Sequence, residues 1–181
     1  SSSSGNILQR FNTFEWQPDD SLTDDENFMD LTLLVTRSSE CKQGGMACIL
    51  VKPPPENEGD STSLFDRIVS VSTNRSLYKE NSSDIHAKDG RITDHSTAYI
   101  TMPPCSRCFA ALLSAGIRRV VSRYRAKKLQ DVADKNGIEM SHVEFKEEQK
   151  SRIDNIVRLF HENHGIQQKR QKTQQRERKD E

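Results

Sequence analysis

Thr97-Ala98-Tyr99-Ile100-Thr101-Met102-Pro103-Pro104-Cys105-Ser106-Arg107-Cys108 is the stretch that orders the rest of the chain. Thr97 to Met102 reads as a strand, and Pro103-Pro104 ends it because proline has no N–H to give to a ladder. Cys105 to Ala115 reads as a helix that stops at Gly116, the residue type that takes the left-handed capping conformation without steric cost. Cys-x-x-Cys at the start of a helix lets both sulfurs face one metal ion, and the helix N-terminus favours their anionic form. Pro104 sits just ahead of that helix, where a missing N–H costs nothing. Upstream, His86-Ala87-Lys88 supplies an imidazole. Zinc takes such donors in a tetrahedron; a structural site closes with four protein ligands, and a catalytic site uses three and leaves a position for water. His86, Cys105 and Cys108 make three, and no fourth Cys or His stands at matching spacing, so the pattern points to an open zinc site of the catalytic type. The competing reading is a thioredoxin-like redox pair, which leaves His86 and the strand-to-helix order unexplained.

The 181 residues suffice for one domain with a real core. Apolar residues make up 33% and charged residues 30%, the balance expected of an ordinary core diluted by polar ends and one long polar loop. Lys+Arg and Asp+Glu both total 27, so net charge makes no overall case for nucleic acid or membrane. No apolar run approaches a membrane span, and Ser1-Ser2-Ser3-Ser4-Gly5 has neither the basic nor the apolar region of a secretory signal. Of the 4 cysteines, Cys41 and Cys48 lie far upstream of the Cys-x-x-Cys. That usage fits a metal site in a reducing compartment better than a secreted disulfide framework, so a cytoplasmic or nuclear location is expected.

Outward from the motif, residues 1–27 are polar and acidic and read as a flexible lead-in, with Phe11, Phe14 and Trp16 able to dock. Phe28, Leu31, Leu34 and Val35 recur at helical spacing over 28–36. Met46 to Val51 reads as a buried strand ended by Pro53-Pro54-Pro55, residues 53–63 as a polar loop, and Arg67 to Thr73 as a second strand. A polar loop over 74–85 delivers His86, and a short helix over 86–96 is weakened by Gly90. Beyond the Cys-x-x-Cys helix come a strand at Val120-Val121, a helix over 126–136 capped by Gly137, and a short strand over 142–145. Ile153, Ile156, Val157 and Phe160 mark an amphipathic helix over 151–161. Residues 166–181 read as a basic disordered tail, and 28–165 as the folded domain. Alternating strands and helices predict an α/β fold with helices packed on a sheet, and there is no internal repeat.

The motif and its surroundings resemble the cytidine/deoxycytidylate deaminase superfamily, most of all its CMP/dCMP branch. The resemblance is carried by Ser39-Glu40-Cys41, the run 46–51, Asn74, His86-Ala87, the stretch 97–108, and Ala111 to Val121 with its Ala-Gly-Ile-Arg-Arg-Val-Val. It spans residues 28 to 145 and is densest from 86 to 121. It implies a three-layer α/β/α cytidine deaminase-like fold with a central mixed sheet of about five strands, zinc as cofactor, and homo- or hetero-oligomers. It also implies a pyrimidine nucleotide or nucleoside as ligand, attacked at C4 of cytosine by zinc-activated water. Asn74 matches the asparagine that closes on the pyrimidine nucleotide; its other reading is a loop turn residue. Ala87 and Ser39 fall at the substrate by the same resemblance, and the Arg37-Ser38-Ser39 and Lys42 region falls where the branch binds phosphate. That region departs from the pattern, with one residue missing before Met46 and a glycine out of register, and it reads equally as a solvated turn.

The family places a glutamate two residues after the histidine, as the general acid/base; this chain has Lys88. A carboxylate can take a proton from zinc-activated water and pass it to the pyrimidine and the leaving amine, work worth roughly 10²- to 10⁴-fold. Lysine brings three donors, no acceptor, and a charge that zinc repels. Lys88 is compatible with a natural silent relative, with an inactivated form of an active deaminase, or with a deprotonated lysine acting as the base. Asp89, one residue further along a helix, faces another side. The function expected is a zinc-dependent hydrolytic deaminase scaffold for a cytosine-containing nucleotide or nucleoside, inactive as written. The alternative is a catalytically silent deaminase-fold subunit or nucleic-acid-binding partner in an RNA- or DNA-editing complex. The basic run from Lys169 to Lys179 would there touch RNA or single-stranded DNA, or remain a solvated run. His161-Glu162-Asn163-His164 misses the metalloprotease spacing, because position 165 is Gly165. His95 and His142 read as surface or packing residues.

Overall fold

The computed structural model describes residues 5–41, 44–55, 62–74, 95–144 and 146–177, with side chains over 7–165. After a first turn, α1 (Gly5–Leu8), the chain enters α2 (Asp24–Thr36) through a capping box. The Thr23 N–H donates to the Glu26 carboxylate at 3.0 Å, and the Glu26 N–H donates back to the Thr23 hydroxyl at 3.3 Å. Asp24, Asp25 and Glu26 in the first turn suit the positive end of the helix dipole. The helix therefore starts earlier than the apolar spacing over 28–36 predicts, using residues assigned to the flexible lead-in.

That lead-in is docked over its described length. Phe14 and Trp16 are buried, and the Phe14 ring meets Phe160 edge-on at 5.4 Å. The Asn27 side chain accepts from the Asp19 N–H at 2.8 Å and donates to its carbonyl at 2.9 Å. Two aromatic rings removed from water offset the cost of ordering a polar segment, which an average of its composition conceals.

Strands β1 (Ala47–Val51), β2 (Ile68–Thr73), β3 (Thr97–Ile100), β4 (Arg119–Ser122) and β5 (Glu139–His142) form one mixed sheet in the order β2-β1-β3-β4-β5. β1 is antiparallel to both its neighbours, whereas β3, β4 and β5 run parallel. The helices between them are α3 (Ser106–Ser114) and α4 (Gln130–Lys135), and α5 (Glu147–Glu177) follows β5. Strand alternation separates two cores. Ile49, Val51, Tyr99 and Val121 join Phe28, Leu31 and Ile153 on the α2 and α5 side. Leu50, Ala98, Ile100 and Val120 join Phe109, Leu112 and Ala133 on the α3 and α4 side. The result is the three-layer α/β/α fold with a five-stranded mixed sheet.

Glycine ends α3 as expected. Gly116 has φ 78°, its N–H reaches the Leu113 carbonyl at 3.1 Å, and the Ile117 N–H reaches Leu112 at 3.1 Å, the paired bonds of a Schellman cap. Across the fold, Asp25 on α2 receives Arg119 of β4 at 2.6 and 2.7 Å and the Tyr99 hydroxyl of β3 at 2.7 Å. Burial works to raise the Asp25 pKa, but the Arg119 and Tyr99 hydrogen bonds outweigh it and hold the carboxyl below the usual range.

Three element boundaries differ from the sequence reading. The last strand is 139–142 rather than 142–145, because buried Ile138 directly after Gly137 starts it and the alternation of an edge strand is weak. The helix over 126–136 divides into a 3₁₀ turn, Lys127–Leu129, and α4. α5 continues to Glu177, through most of the stretch read as a disordered tail: after Gly165 the residues are Gln, Lys, Arg and other helix-compatible types, so a helix nucleated on the packed half propagates. Of the helix expected over 86–96, residues 86–94 lie outside the described residues.

Candidate functional site

β3 ends at Ile100, Pro104 is buried, and α3 starts at Ser106 with Cys105 as its N-cap in an extended conformation. No side chain caps this helix end. The Cys105 carbonyl opens the helix by accepting from the Phe109 N–H at 2.8 Å. One turn brings the two sulfurs together: Cys105 Sγ and Cys108 Sγ are 3.5 Å apart, and both residues are exposed. Two Zn–S bonds of about 2.3 Å at the tetrahedral angle set their sulfurs about 3.8 Å apart, so this pair fits two corners of a zinc tetrahedron.

The pair is also chemically polarised. The Cys108 backbone N–H, then its thiol and the Arg107 N–H, hold the Cys105 thiol below its ordinary value. Partial burial, then the Cys105 hydrogen bond and charge, push Cys108 up. The two thiols are therefore unequal, with Cys105 the more acidic of the pair. A third cysteine, which the sequence reading set apart from the pair, lies close to it. Cys48 stands opposite Ile100 in the antiparallel β1–β3 pair and packs against the α3-side core. Burial pushes its thiol up to about 12, with the neighbouring Cys108 adding to the shift. The signal that could have found it is the apolar run 46–51, once that run is paired against the strand leading to the motif.

Ser39 and Asn74 meet in one hydrogen-bonded turn. The Ser39 hydroxyl lies 2.7 Å from Asn74 Oδ1, which also accepts the Met46 N–H at 2.7 Å. Asn74 Nδ2 donates to the Gly44 carbonyl at 3.0 Å. Gly45 sits in a tight place, where a Cβ would come within 3.2 Å of Ser39 Cβ and 3.3 Å of the Thr36 carbonyl and its neighbours would have to give by a few tenths of an ångström. The turn is tied to the thiol end of the sheet through Thr101, whose N–H donates to Ala47 at 3.1 Å and whose hydroxyl meets that of Thr36 at 2.8 Å. Ser39, Asn74, Cys105 and Cys108 thus share the end of the sheet where β2 and β3 finish and β1 begins. His86, Ala87 and Lys88 lie outside the described residues. Among the described residues, no three donors of the His, Cys, Asp and Glu types gather as a metal cluster.

No family model and no curated protein matches the chain. Solved structures do. Acinetobacter baumannii RibD in its form 2 superposes with a TM-score of 0.52 and 16% identity, over 76% of this chain and 40% of that one. Form 1 gives a TM-score of 0.50 and 18% identity, over 66% of this chain and 35% of that one. The fold is cytidine deaminase-like. The chain spans 35–40% of the length of RibD. A dCMP deaminase of cyanophage S-TIM5 in its apo form is similar at a TM-score of 0.46 and 20% identity, over 66% of this chain and 96% of that one. In the deaminase-like fold, the thiol pair at the N-terminus of α3 sits at the C-terminal edge of the parallel strands, the edge where open α/β sheets bind ligands.

Proposed function

We propose that the chain is a zinc-dependent hydrolytic deaminase scaffold for a cytosine-containing nucleotide or nucleoside, and that Lys88 silences it. The observation that carries this reading is the Cys105–Cys108 sulfur pair, spaced for one metal ion at the start of α3 in a deaminase-like sheet. Cys105 and Cys108 would hold zinc together with His86, and zinc bound there supplies the Lewis acid that activates water at neutral pH. Asn74 Oδ1 is already taken by Ser39 and Met46, and one Nδ2 hydrogen by Gly44. That leaves Asn74 one N–H to donate to a substrate oxygen, with Ser39 fixing its orientation. Ala87 follows the histidine ligand and would lie against the base. Lys88 would hold protons where the reaction first needs an acceptor, so the water proton would have no group to take it.

A second reading is a silent deaminase-fold subunit of a nucleic-acid-editing assembly, with homo- or hetero-oligomerisation as part of its role. It is favoured by Lys88 itself and by the basic run, of which residues 169–177 lie on the far half of α5. Both readings place the protein in the cytoplasm or nucleus.

The deciding experiment measures zinc stoichiometry, and deaminase activity on CMP, dCMP, cytidine and single-stranded nucleic acid, for this chain and for Lys88→Glu. Turnover that appears only with Lys88→Glu supports the silenced enzyme. Zinc without turnover in either supports the silent subunit. Absence of zinc from both overturns the site.

A further inference from the structure

We propose that Arg125, Lys127 and His142 form a phosphate-binding recess at the C-terminal ends of β4 and β5, which takes the phosphate of a nucleotide, free or within a strand. The proposal deepens the nucleotide reading above and rests on that part of it, independently of zinc.

The recess follows from how β4 ends. Ser122, fully buried as the last residue of β4, donates its hydroxyl to the Tyr124 carbonyl at 2.6 Å and closes a tight turn. That turn presents Tyr124 and Arg125 outward, and the 3₁₀ turn that follows presents Lys127. β5 runs parallel, with Ser122 opposite His142, so the imidazole stands at the same height on the neighbouring strand. Together with Gln130, Met140 and Ser141 these residues bound a recess of about 480 Å³.

The charge of the recess is unspent. Arg37, Arg67, Arg119, Arg152 and Arg158 are each committed to a carboxylate. Arg125 and Lys127 pair with no carboxylate among the described residues, and none of the lining residues is acidic. Gln130 turns its amide to Asp134 at 2.9 Å, outside the lining. Two cations with an imidazole beside them are a donor set that suits a phosphate; the Ser141 hydroxyl is not part of it, because it donates to Glu139 at 2.8 Å. A ring stands next to it: Tyr124 is 45% exposed, with the Arg123 guanidinium 5.1 Å from its centroid. An exposed aromatic face beside a cationic groove is how sequence-tolerant stacking of a base is combined with phosphate contact.

The location agrees. β3, β4 and β5 are adjacent and parallel, so the recess and the thiol pair open on one edge, roughly two strand spacings of about 4.8 Å apart. A base seated at the thiol pair therefore has a phosphate position within reach at the recess, one not reached through the Ser39 turn.

The test compares the full chain with Arg125→Ala/Lys127→Ala, two exposed positions, by calorimetric titration with inorganic phosphate, dCMP and a ten-residue oligodeoxycytidylate across salt concentrations. Zinc content and the unfolding midpoint are measured on each sample. The expected result is at least tenfold weaker binding of dCMP or the oligonucleotide by the variant, at unchanged midpoint. For the strand, the slope of log affinity against log salt falls by about 1.4, the value for two phosphate contacts on a single strand. Tighter binding of the oligonucleotide than of dCMP assigns the recess to a strand, and equal binding assigns it to free nucleotide. Wild-type affinity and slope in the variant, or no phosphate binding by the wild-type chain, overturns the proposal. Phosphate binding that is lost in the variant, by a chain that takes up no zinc, leaves the recess standing while the deaminase reading falls.

Discussion

The Ser39 hydroxyl and Asn74 Oδ1 lie 2.7 Å apart although 35 residues separate them in sequence, and this contact holds the turn before β1 against the end of β2. Two residues singled out as separate substrate contacts are one unit. Asn74→Ala leaves the Met46 N–H and the Gly44 carbonyl without their side-chain partner, while the Ser39 hydroxyl keeps the backbone carbonyl of residue 74 at 3.0 Å. A loss of about 1–2 kcal/mol in urea unfolding is expected, the site being half exposed. Asn74→Asp keeps the acceptor and gives up only the Gly44 bond, so it is expected to cost less. Equal losses for the two variants would show that the Oδ1 contacts contribute nothing.

Acid sensitivity is expected to trace to Asp25. Its carboxyl is held below the usual range by Arg119 and Tyr99 against the opposing effect of burial, and Arg119 likewise lowers Glu139. With a depressed folded-state pKa, the unfolded chain takes up the proton first. The contribution is complete above the unfolded value of about 3.9 and is lost as pH falls through the lower folded value. Unfolding free energy followed from pH 6 to about 2 should decline in the native chain and decline less steeply in Asp25→Asn. Parallel curves would remove Asp25 as the cause.

Thiol reactivity after metal removal should rank the cysteines. In a chelator at about pH 7.5, an alkylating reagent followed by peptide mass spectrometry is expected to label Cys105 before Cys108, with Cys48 slowest at a thiol pKa of about 12. Adding zinc should protect Cys105 and Cys108 together and leave the Cys48 rate as it was. Protection of one sulfur alone would separate the pair.

The sole tryptophan reports on the lead-in. Trp16 is 4% exposed and meets Phe65 edge-on at 5.5 Å, so native emission should be blue-shifted and move red on unfolding. Phe14→Ala should destabilise by about 3 kcal/mol, as expected for a buried ring. A red native emission maximum, with no cost for Phe14→Ala, would return the segment to solvent.

The helices and strands of the centre were legible because strong local signals coincide there. Pro103-Pro104 and Gly116 bracket α3, the run 46–51 has the length of a buried strand, and Ile153 to Phe160 repeats at helical spacing. The thiol pair was legible too, since Cys-x-x-Cys spacing is one helical turn. What was missed depends on contacts distant in sequence. The aromatic residues of the lead-in are stabilised by contacts with α5 and the loop before β2, and the role of Cys48 appears only when β1 is paired with β3. β5 was displaced because an edge strand with two half-covered residues between two exposed ones carries little alternation. The continuation of α5 beyond Gly165 follows from backbone propagation, to which apolar periodicity is blind.

The mixed sheet has a kinetic consequence. Joining β1 to β3 closes the loop from Ala47 to Thr101, a separation of 54 residues, whereas Arg119 of β4 meets Glu139 of β5 across 20. By chain-closure entropy the longer loop costs about 0.9 kcal/mol more. Pairing within β3, β4 and β5 is therefore expected to precede the joining of β1 to β3 during refolding. Cys105 and Cys108 belong to the parallel strands' side of that junction, so an ion captured by them in a nascent chain would be held before the turn of Ser39 and Asn74 is brought beside it.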